Sequence, residues 1–289
     1  MNITLKQVSK EIKGQPVLNN IDLTIDEVGI YAVLGPNGAG KTTMMHILAG
    51  LSNWDRGIVE IDGKNPFDDS ETLNKISFIQ ESDNFKPTLR VKDVLQHVKA
   101  FYPQLNEELL ARLVSEYHLP LNKRLNELSK GMNSALNMSI GLASRAPLTI
   151  FDEPYIGMDA TARKKLYKEI IEDYVEHPRV ILFSTHFIEE TEAIFEHTII
   201  VNDGEILLQE PVEDLAERAL RISGPKDALA NLDLTGQHVL SRESLLSEAT
   251  VAVLCNKGDV PVIPSGCSVQ PLSLQEFFID YTSKEPLPQ

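Results

Sequence analysis

Cysteine, tryptophan and long apolar runs are scarce in this chain of 289 residues. Its two cysteines, Cys255 and Cys267, match no metal-binding or redox spacing, so we expect them to be small packing residues in a reducing compartment. No apolar stretch approaches the roughly 20 residues that a helix needs to span a bilayer, and residues 1–6 lack the apolar core of a signal peptide. We therefore expect a cytoplasmic chain.

Positive charge is also in short supply. The chain carries 42 acidic against 27 basic residues, a net charge of −15, and has no basic run with interleaved aromatic residues. Nucleic acid and anionic lipid are therefore poor partners for its general surface, and no nucleic-acid partner is expected. Hydrophobic residues make up 42% of the sequence, which is enough to bury a core. The length suits one large α/β domain with a small addition, or two modest domains.

The most informative segment is the phosphate-binding loop Gly-Pro-Asn-Gly-Ala-Gly-Lys-Thr at 35–42. Its glycines let successive backbone amides converge on the phosphates of a nucleoside triphosphate without interference from Cβ atoms. Lys41 is expected to reach the β- and γ-phosphates, and the Thr42 hydroxyl to ligate Mg²⁺. An apolar run at 30–34 predicts a buried strand before the loop, and residues 42–49 predict a helix whose positive N-terminus ends it. The predicted nucleotide-binding residues here are Gly35, Pro36, Asn37, Gly38, Ala39, Gly40, Lys41, Thr42 and Thr43.

Two adjacent acids, Asp152 and Glu153, follow the short apolar run at 148–151. That run predicts a parallel core strand, and open α/β sheets bind their ligands at the carboxyl ends of such strands. One carboxylate can enter a Mg²⁺ shell while the other accepts a proton from attacking water. We predict that Asp152 is the acid on the metal side and that Glu153 is the general base; a solvated acidic turn is the simpler alternative.

Apolar periodicity divides the remaining sequence into regions. Residues 3–25 alternate, which predicts antiparallel strands, whereas about 86–147 show helical spacing and predict an inserted helical subdomain. A second parallel strand is predicted at 180–183, a helix at about 187–195 and a hairpin at 197–208. The last predicted helix has clear start signals, because Ser273 can cap it while Glu276 closes a capping box.

Four further segments fall in the order and approximate spacing found in ABC-type ATPases, the nucleotide-binding subunits of ATP-binding cassette transporters. Gln80 is similar to the glutamine of that family's Q-loop. The sequence Leu-Ser-Lys-Gly-Met at 128–132 resembles the signature loop, which normally reads Leu-Ser-Gly-Gly-Gln. Gly-Met-Asp at 157–159 resembles the D-loop, and His186 resembles the switch histidine that touches the γ-phosphate. The resemblance covers about residues 1–212.

The resemblance implies an α/β fold, a P-loop NTPase of ABC type with an antiparallel β subdomain and an inserted helical subdomain at about 86–147. Residues 1–212 would form this nucleotide-binding domain, and 213–289 a small C-terminal α+β appendage. The implied catalytic residues are Glu153, His186 and Gln80. The implied nucleotide contacts are Ser129, Gly131 and Asp159, and the implied Mg²⁺ ligands are Thr42, Gln80 and Asp152.

The resemblance also implies how such a chain works. Two subunits, identical or not, would meet head to tail around two ATP molecules, and each would supply its signature serine and glycine to the γ-phosphate held by the other. A separate membrane-spanning permease is expected, with the ATPase peripheral on the inner face of the cell membrane. The tail at 269–278 resembles the closing helix of exporter ATPases, so the expected function is ATP hydrolysis that powers export.

Departures from the family pattern keep two alternatives open. Lys130 and Met132 replace signature residues, and Lys130 either adds a cation near the γ-phosphate or, as we favour, faces solvent. A catalytically weak, nucleotide-gated module of an asymmetric pair is therefore one alternative, and a soluble ABC protein without a transport role is the other. Ile12 stands where many members stack an aromatic ring on adenine, so we expect loose base selectivity. Phe85, within 81–87, is either a permease contact or a turn residue packed on the helical subdomain.

Overall fold

The computed structural model describes residues 1–81 and 84–283. Within these residues the strands are β1 Ile3–Ile12, β2 Gln15–Ile25, β3 Gly29–Leu34, β4 Arg56–Ile61, β5 Ile76–Gln80, β6 Leu148–Asp152, β7 Val180–Ser184, β8 His197–Asn202, β9 Glu205–Pro211, β10 Ala219–Pro225, β11 His238–Leu245, β12 Glu248–Leu254 and β13 Ser268–Pro271.

The α-helices of the same residues connect these strands. They are α1 Lys41–Leu48, α2 Ser70–Leu73, α3 Val91–Phe101, α4 Glu107–Glu116, α5 Lys130–Ser144, α6 Ala160–Glu176, α7 Ile188–Thr191, α8 Val212–Arg218, α9 Lys226–Ala230 and α10 Leu274–Thr282. Short 3-10 turns occupy Leu125–Glu127 and Glu192–Ile194.

A six-stranded sheet in the order β5-β6-β7-β3-β8-β9 forms the centre of the molecule. Its strands are parallel except for β9, which pairs with β8 as the antiparallel hairpin that the sequence predicts. The register places Gln80 beside Asp152 and Asp152 beside Ser184 at the carboxyl ends of three neighbouring strands. This sheet therefore gathers the predicted catalytic side chains at one edge.

The central sheet is buried on both faces. Along β3, Ile30, Ala32 and Leu34 join one core cluster, while Tyr31 and Val33 join another. The alternation follows from the two-residue period of a strand, and an uninterrupted apolar run is what a strand covered on both sides requires. The second cluster is closed by an antiparallel sheet in the order β2-β1-β4, as predicted for the N-terminal segment.

The helical subdomain packs on the other face of the central sheet. Helices α3 and α4 bury one side each, whereas α5 is buried on every side over residues 134–144. Their buried apolar residues belong to the cluster that contains Ile30, Ala32 and Leu34 of β3. Phe85 is half-buried against this cluster, which fits the turn-residue alternative for it. Residues 82 and 83, which belong to the predicted permease-facing segment, lie outside the described residues.

The C-terminal region builds a second antiparallel sheet, in the order β11-β12-β10-β13. One face has its own small core around Ile222 and Val253, while Leu240, Ala252 and the α10 residue Phe277 join the main cluster. The described C-terminal residues are thus α+β and pack on the main core cluster. The division at residue 212 stays a prediction, and 284–289 lie outside the described residues.

One predicted helix is shorter than expected. The segment 187–195 forms only the single turn of α7 and then a 3-10 turn. Thr191 Oγ1 donates to the carbonyl oxygens of Phe187 and Ile188 at 2.9 and 3.2 Å. A threonine that bonds back to the preceding turn competes with the backbone ladder and favours an early end to the helix.

Candidate active site

The phosphate-binding loop joins the buried strand β3 to α1. The helix starts at Lys41, with Gly40 as N-cap at a φ of 105°. A Cβ at Gly40 would lie 2.8 Å from the carbonyl oxygen of Val17, so both the backbone conformation and the close approach of β2 require glycine. The predicted strand, loop and helix are therefore present in the predicted order.

A cavity of about 180 Å³ lies over this loop. Two larger cavities, of about 590 and 600 Å³, lie around Arg145 and hold none of the predicted site residues. Size alone therefore does not identify the site, whereas the chemistry of the lining does. The small cavity is lined by Val17, Asn37, Gly38, Ala39, Gly40, Lys41, Thr42, Thr43 and Glu153.

Lys41 is buried at the base of this cavity and is 7% exposed. Its Nζ donates to the carbonyl oxygens of Gly35 and Pro36 at 2.6 and 3.2 Å. Burial lowers the pKa of Lys41, and the carboxylates of Glu153 and Asp152 act in the opposite direction. The loop thus carries a cation beside two acids, and Gly35 and Pro36 contact that cation instead of lining the cavity.

Asp152 is the centre of a hydrogen-bond network that joins the loop to two strands. Thr42 Oγ1 donates to Asp152 Oδ2 at 2.7 Å, and Ser184 Oγ donates to Asp152 Oδ1 at 2.6 Å. The Ser184 hydroxyl in turn accepts a hydrogen bond from the backbone N–H of Glu153 at 2.9 Å. Two of the three predicted Mg²⁺ ligands, Thr42 and Asp152, are therefore in direct contact.

Glu153 and His186 form the second pair of the site. Glu153 Oε2 lies 3.0 Å from His186 Nδ1, and both side chains are partly exposed, at 25% and 50%. Glu153 has a φ of 45°, a left-handed conformation that is uncommon for a residue with a side chain and that recurs at functional sites. This backbone turn directs the Glu153 side chain away from Asp152 and toward His186.

Gln80 ends β5 beside Asp152, as its predicted role requires. Its Oε1 lies 3.2 Å from Nε2 of His46 on α1. Its backbone is held by Asn84, whose side chain accepts from the Gln80 N–H at 3.0 Å and donates to the Gln80 carbonyl oxygen at 2.7 Å. The side-chain amide of Gln80 therefore lies at the carboxyl ends of the strands, where Asp152 also lies.

The signature and D-loop residues lie on the helical side. Ser129 caps α5 by accepting from the Met132 N–H at 3.2 Å, and Asp159 caps α6 by accepting from the Ala162 N–H at 2.8 Å. A Cβ at Gly131 would come within 2.5 Å of the Gly157 carbonyl oxygen, so signature and D-loop touch each other. Within 1–81 and 84–283, no hydrogen bond joins Ser129, Gly131 or Asp159 to the phosphate-binding loop.

Two departures from the family pattern also have a place in the structure. Lys130 is exposed in the first turn of α5, in line with the solvent-facing alternative. Ile12 is 45% exposed at the end of β1 and does not line the cavity over the loop, whereas Val17 does. The expectation of loose base selectivity stays a prediction.

Five residues that contact predicted site residues, or that contact each other beside His186, were not predicted from the sequence: His46, Asn84, Tyr155, Ser184 and Thr185. Ser184 directly follows the strand predicted at 180–183, so its position after an apolar run was a usable signal. His46 carried none, because it is identified only by its contact with the Gln80 side chain across the fold. Asn84 carried none either, because it is identified only by its hydrogen bonds to the Gln80 backbone, four residues earlier.

Comparison with known proteins agrees with this fold. Residues 18–156 match the family model described as ABC transporter. The ABC transporter ATP-binding protein YtrB of Bacillus subtilis is 27% identical over 286 residues, which cover 96% of this chain and 97% of that protein. Nod factor export ATP-binding protein I of Burkholderia lata is 26% identical over 244 residues, which cover 81% of this chain and 80% of that protein.

Solved structures give the same result. A structure described as the ATP-binding subunit of an ABC transporter superimposes with a TM-score of 0.68 at 26% identity, covering 75% of this chain and 92% of that chain. The dimeric structure of MJ0796, a bacterial ABC transporter cassette, gives a TM-score of 0.62 at 25% identity, covering 73% and 98%. The fold is that of an ABC-type P-loop ATPase. This chain contains the ATP-binding domain of the ABC transporter family, and the predicted fold class and ATPase activity are confirmed.

Proposed function

We propose that this chain is the ATP-hydrolysing subunit of a transporter, that two such subunits close head to tail around two ATP molecules, and that they drive export through a separate membrane-spanning subunit. The observation that carries the proposal is the network in which Thr42, Asp152, Ser184 and Glu153 join the phosphate-binding loop to the strand ends. A merely structural acidic turn has no need of a threonine from the nucleotide loop.

Mg²⁺ suits the oxygen atoms at this edge. A hydroxyl from Thr42, a carboxylate from Asp152 and an amide oxygen from Gln80 are the hard ligands that Mg²⁺ prefers. The described residues contain no cluster of three or more His, Cys, Asp or Glu side chains that could hold a metal alone. Mg²⁺ is usually held by one or two carboxylates together with substrate phosphates, and there it neutralises phosphate charge.

Glu153 and His186 are assigned the chemical steps nearest the γ-phosphate. Glu153 lines the nucleotide cavity and is the general base that accepts a proton from the attacking water. His186, 3.0 Å from Glu153, orients that carboxylate and contacts the γ-phosphate. Lys41 compensates phosphate charge, and its release from two backbone carbonyl groups accompanies nucleotide entry.

A second subunit completes the site. Ser129 and Lys130 are exposed, and the N-terminus of the 15-residue helix α5 presents free amide groups and a positive dipole end to solvent. This is the arrangement that an anion on another subunit would require. The MJ0796 cassette, which shares this fold, is dimeric, and that supports the same assembly here.

The proposals for a membrane partner and for the direction of transport are based on the named relatives. No helix of the described residues is long and apolar enough to cross a membrane. One relative is named for Nod factor export, and another is named as an ABC transporter ATP-binding protein. We therefore place the chain on the cytoplasmic face of the membrane, bound to a permease that selects the cargo.

The test is ATP turnover by the complex of this chain with its membrane partner, compared with the same complex carrying Glu153→Gln. The amide keeps the size of the side chain but cannot accept the proton, and loss of a general base typically costs about 10²–10⁴ in rate. Equal turnover by the two complexes would remove the catalytic proposal and favour the nucleotide-gated module that Lys130 and Met132 suggest.

A further inference from the structure

Tyr155 is buried in the loop that follows Glu153. The residue is fully buried, and its ring stacks against Phe183 with centroids 5.8 Å apart and meets Phe187 edge-on at 5.4 Å. Burial raises the pKa of Tyr155, so the phenol keeps its proton at any physiological pH. A buried hydroxyl requires hydrogen-bond partners, and those of Tyr155 belong to the turn that carries His186.

The partners form a short chain of hydrogen bonds. Tyr155 OH donates to Thr185 Oγ1 at 2.6 Å, and it accepts from the backbone N–H of His186 at 3.2 Å. Thr185 Oγ1 also accepts from the backbone N–H of Phe187 at 2.9 Å. Two successive amide groups after β7 are thus satisfied by two side-chain hydroxyls, one of which comes from the loop after β6.

We propose that the Tyr155 hydroxyl is a positioning residue that holds the turn of His186 against the loop of Glu153 and so fixes the imidazole beside the carboxylate. The inference rests on the proposed roles of Glu153 and His186. Tyr155 does not line the nucleotide cavity, so it acts through His186 and does not touch the substrate.

Equivalent hydrogen bonds hold the loop of Glu153 and the turn of His186. Ser184 fixes the loop after β6, because its hydroxyl accepts from the Glu153 N–H at 2.9 Å. Tyr155 fixes the turn after β7, because its hydroxyl accepts from the His186 N–H. The end of β7 therefore fixes the loop after β6, and that loop fixes the turn after β7, so we infer that the distance of 3.0 Å between Glu153 Oε2 and His186 Nδ1 depends on both hydroxyls.

A pair of single-atom deletions tests the proposal. Tyr155→Phe removes the hydroxyl and keeps the ring. Tyr167→Phe is the matched control, because Tyr167 also packs on Phe183 and is buried, but its hydroxyl has no hydrogen-bond partner within the described residues. We expect Tyr155→Phe, which removes both hydrogen bonds of the hydroxyl, to lower kcat about tenfold, with the Kd for ATP unchanged. Tyr167→Phe should leave both values unchanged.

A second readout follows His186 directly. In the full-length chain labelled with ¹³C-histidine, the His186 ring signal, assigned with His186→Ala, should move in Tyr155→Phe and stay in place in Tyr167→Phe. Thr185→Val should reproduce the effect of Tyr155→Phe, Thr185→Ser should behave as wild type, and the double change Tyr155→Phe with Thr185→Val should cost less than the sum of the two.

The outcomes separate the inference from the function on which it rests. Suppose that His186→Ala and Glu153→Gln lower turnover, whereas Tyr155→Phe does not lower turnover and does not move the His186 signal. Tyr155 is then a core-packing residue and the inference is wrong. If His186→Ala leaves turnover unchanged, the role proposed for His186 is wrong, and the ring signal still decides whether Tyr155 positions it. Should Tyr155→Phe fail to fold, Thr185→Val against Thr185→Ser gives the same decision.

Discussion

Lys41 shows how a single residue prepares the site for an anion. Its ammonium group is buried, where burial lowers its pKa, and it is held by two backbone carbonyl groups. Because burial has removed water from this ammonium group, a phosphate partner can stabilise its charged form. We predict that Lys41→Met weakens ATP binding by at least about tenfold, because a hydrogen bond to a charged group contributes about 1.5–3 kcal/mol.

Titration calorimetry with ATP measures this change. Lys168→Met is the control, because the Lys168 side chain is 74% exposed on α6 and, within residues 1–81 and 84–283, forms an ion pair only with Glu172. Tight ATP binding by Lys41→Met would contradict the role of the lysine, and a similar loss in the control would point to a general effect of charge.

At the residue scale, the sequence was sufficient wherever the chemistry is local. The loop at 35–42 and the acids Asp152 and Glu153 could be predicted because each stands next to a recognisable strand or helix. Asn84 and His46, which hold Gln80, could not. The position of His46 depends on which strands and helices become neighbours. Asn84 makes a local contact with the Gln80 backbone, four residues earlier, and no sequence motif marks it.

The first turn of α5 lies in close contact with the loop before α6. Alanine at position 131 would suit the helix better than glycine by about 1 kcal/mol. Its Cβ, however, would lie 2.5 Å from the Gly157 carbonyl oxygen, and overpacking of this kind costs about 1–3 kcal/mol. We predict that Gly131→Ala does not stabilise the protein, and that it lowers ATP turnover because the signature turn is displaced from the D-loop.

Urea unfolding and ATP turnover check this prediction together. Lys130→Ala, an exposed change in the same helical turn, is the control and should leave the free energy of unfolding nearly unchanged. If the Gly131→Ala variant is more stable than wild type and fully active, the close contact with Gly157 is easily relieved and the prediction is wrong.

The C-terminal helix α10 gives a prediction about pH. Glu276 Oε2 accepts from the Ser273 N–H at 3.0 Å, and its Oε1 accepts from Arg221 NH1 at 2.6 Å. The hydrogen bond from Arg221, and next that from the Ser273 amide, hold the pKa of Glu276 below its ordinary value. A carboxyl with a lowered pKa stabilises the folded state above its unfolded pKa of about 4.3, and this contribution is lost as the pH falls through the lowered value.

We therefore predict that Glu276→Gln lowers the free energy of unfolding at pH 7 and that the difference from wild type shrinks below about pH 4.3. Urea unfolding as a function of pH measures it, with the exposed Glu217→Gln as control. A difference that stays constant into acid would show that the carboxylate charge contributes nothing to the cap.

The same helix shows what local sequence signals can specify. The capping box at Ser273 and Glu276 was predicted from four residues and is present, since both of its hydrogen bonds are local. The segment 187–195 was predicted as one helix and is not, because Glu192 Oε1 accepts from the Leu274 N–H at 2.9 Å and Thr191 bonds back on the preceding turn. Helix length there is decided partly by a residue more than eighty positions away.

Across the whole molecule, the predicted nucleotide ligands fall into two groups. Most of one group line the cavity over the phosphate-binding loop, whereas the other group, Ser129, Gly131 and Asp159, lies at the first turns of α5 and α6. The proposed head-to-tail dimer would give each chain half of two different sites. If the sites are shared, a chain that is defective in one half should complement a chain that is defective in the other.

The final prediction uses two such defects. Lys41→Met removes the cation of the loop. Ser129→Asp keeps the cap of α5, because aspartate caps helices as well as serine, but sets a carboxylate against the γ-phosphate of the other subunit. Each variant alone should be inactive. A mixed dimer, however, contains one site built from the intact loop of one chain and the intact signature of the other.

Mixing the two variants in equal amounts should restore about a quarter of wild-type turnover, since half of randomly paired dimers are mixed and each has one of two sites intact. Ser129→Asn, which keeps the cap without the charge, is the control and should be active alone. No recovery in a mixture whose dimers demonstrably exchange would mean that each chain completes its own site. Recovery would establish that the phosphate-binding loop at 35–42 works only with the signature of a second copy.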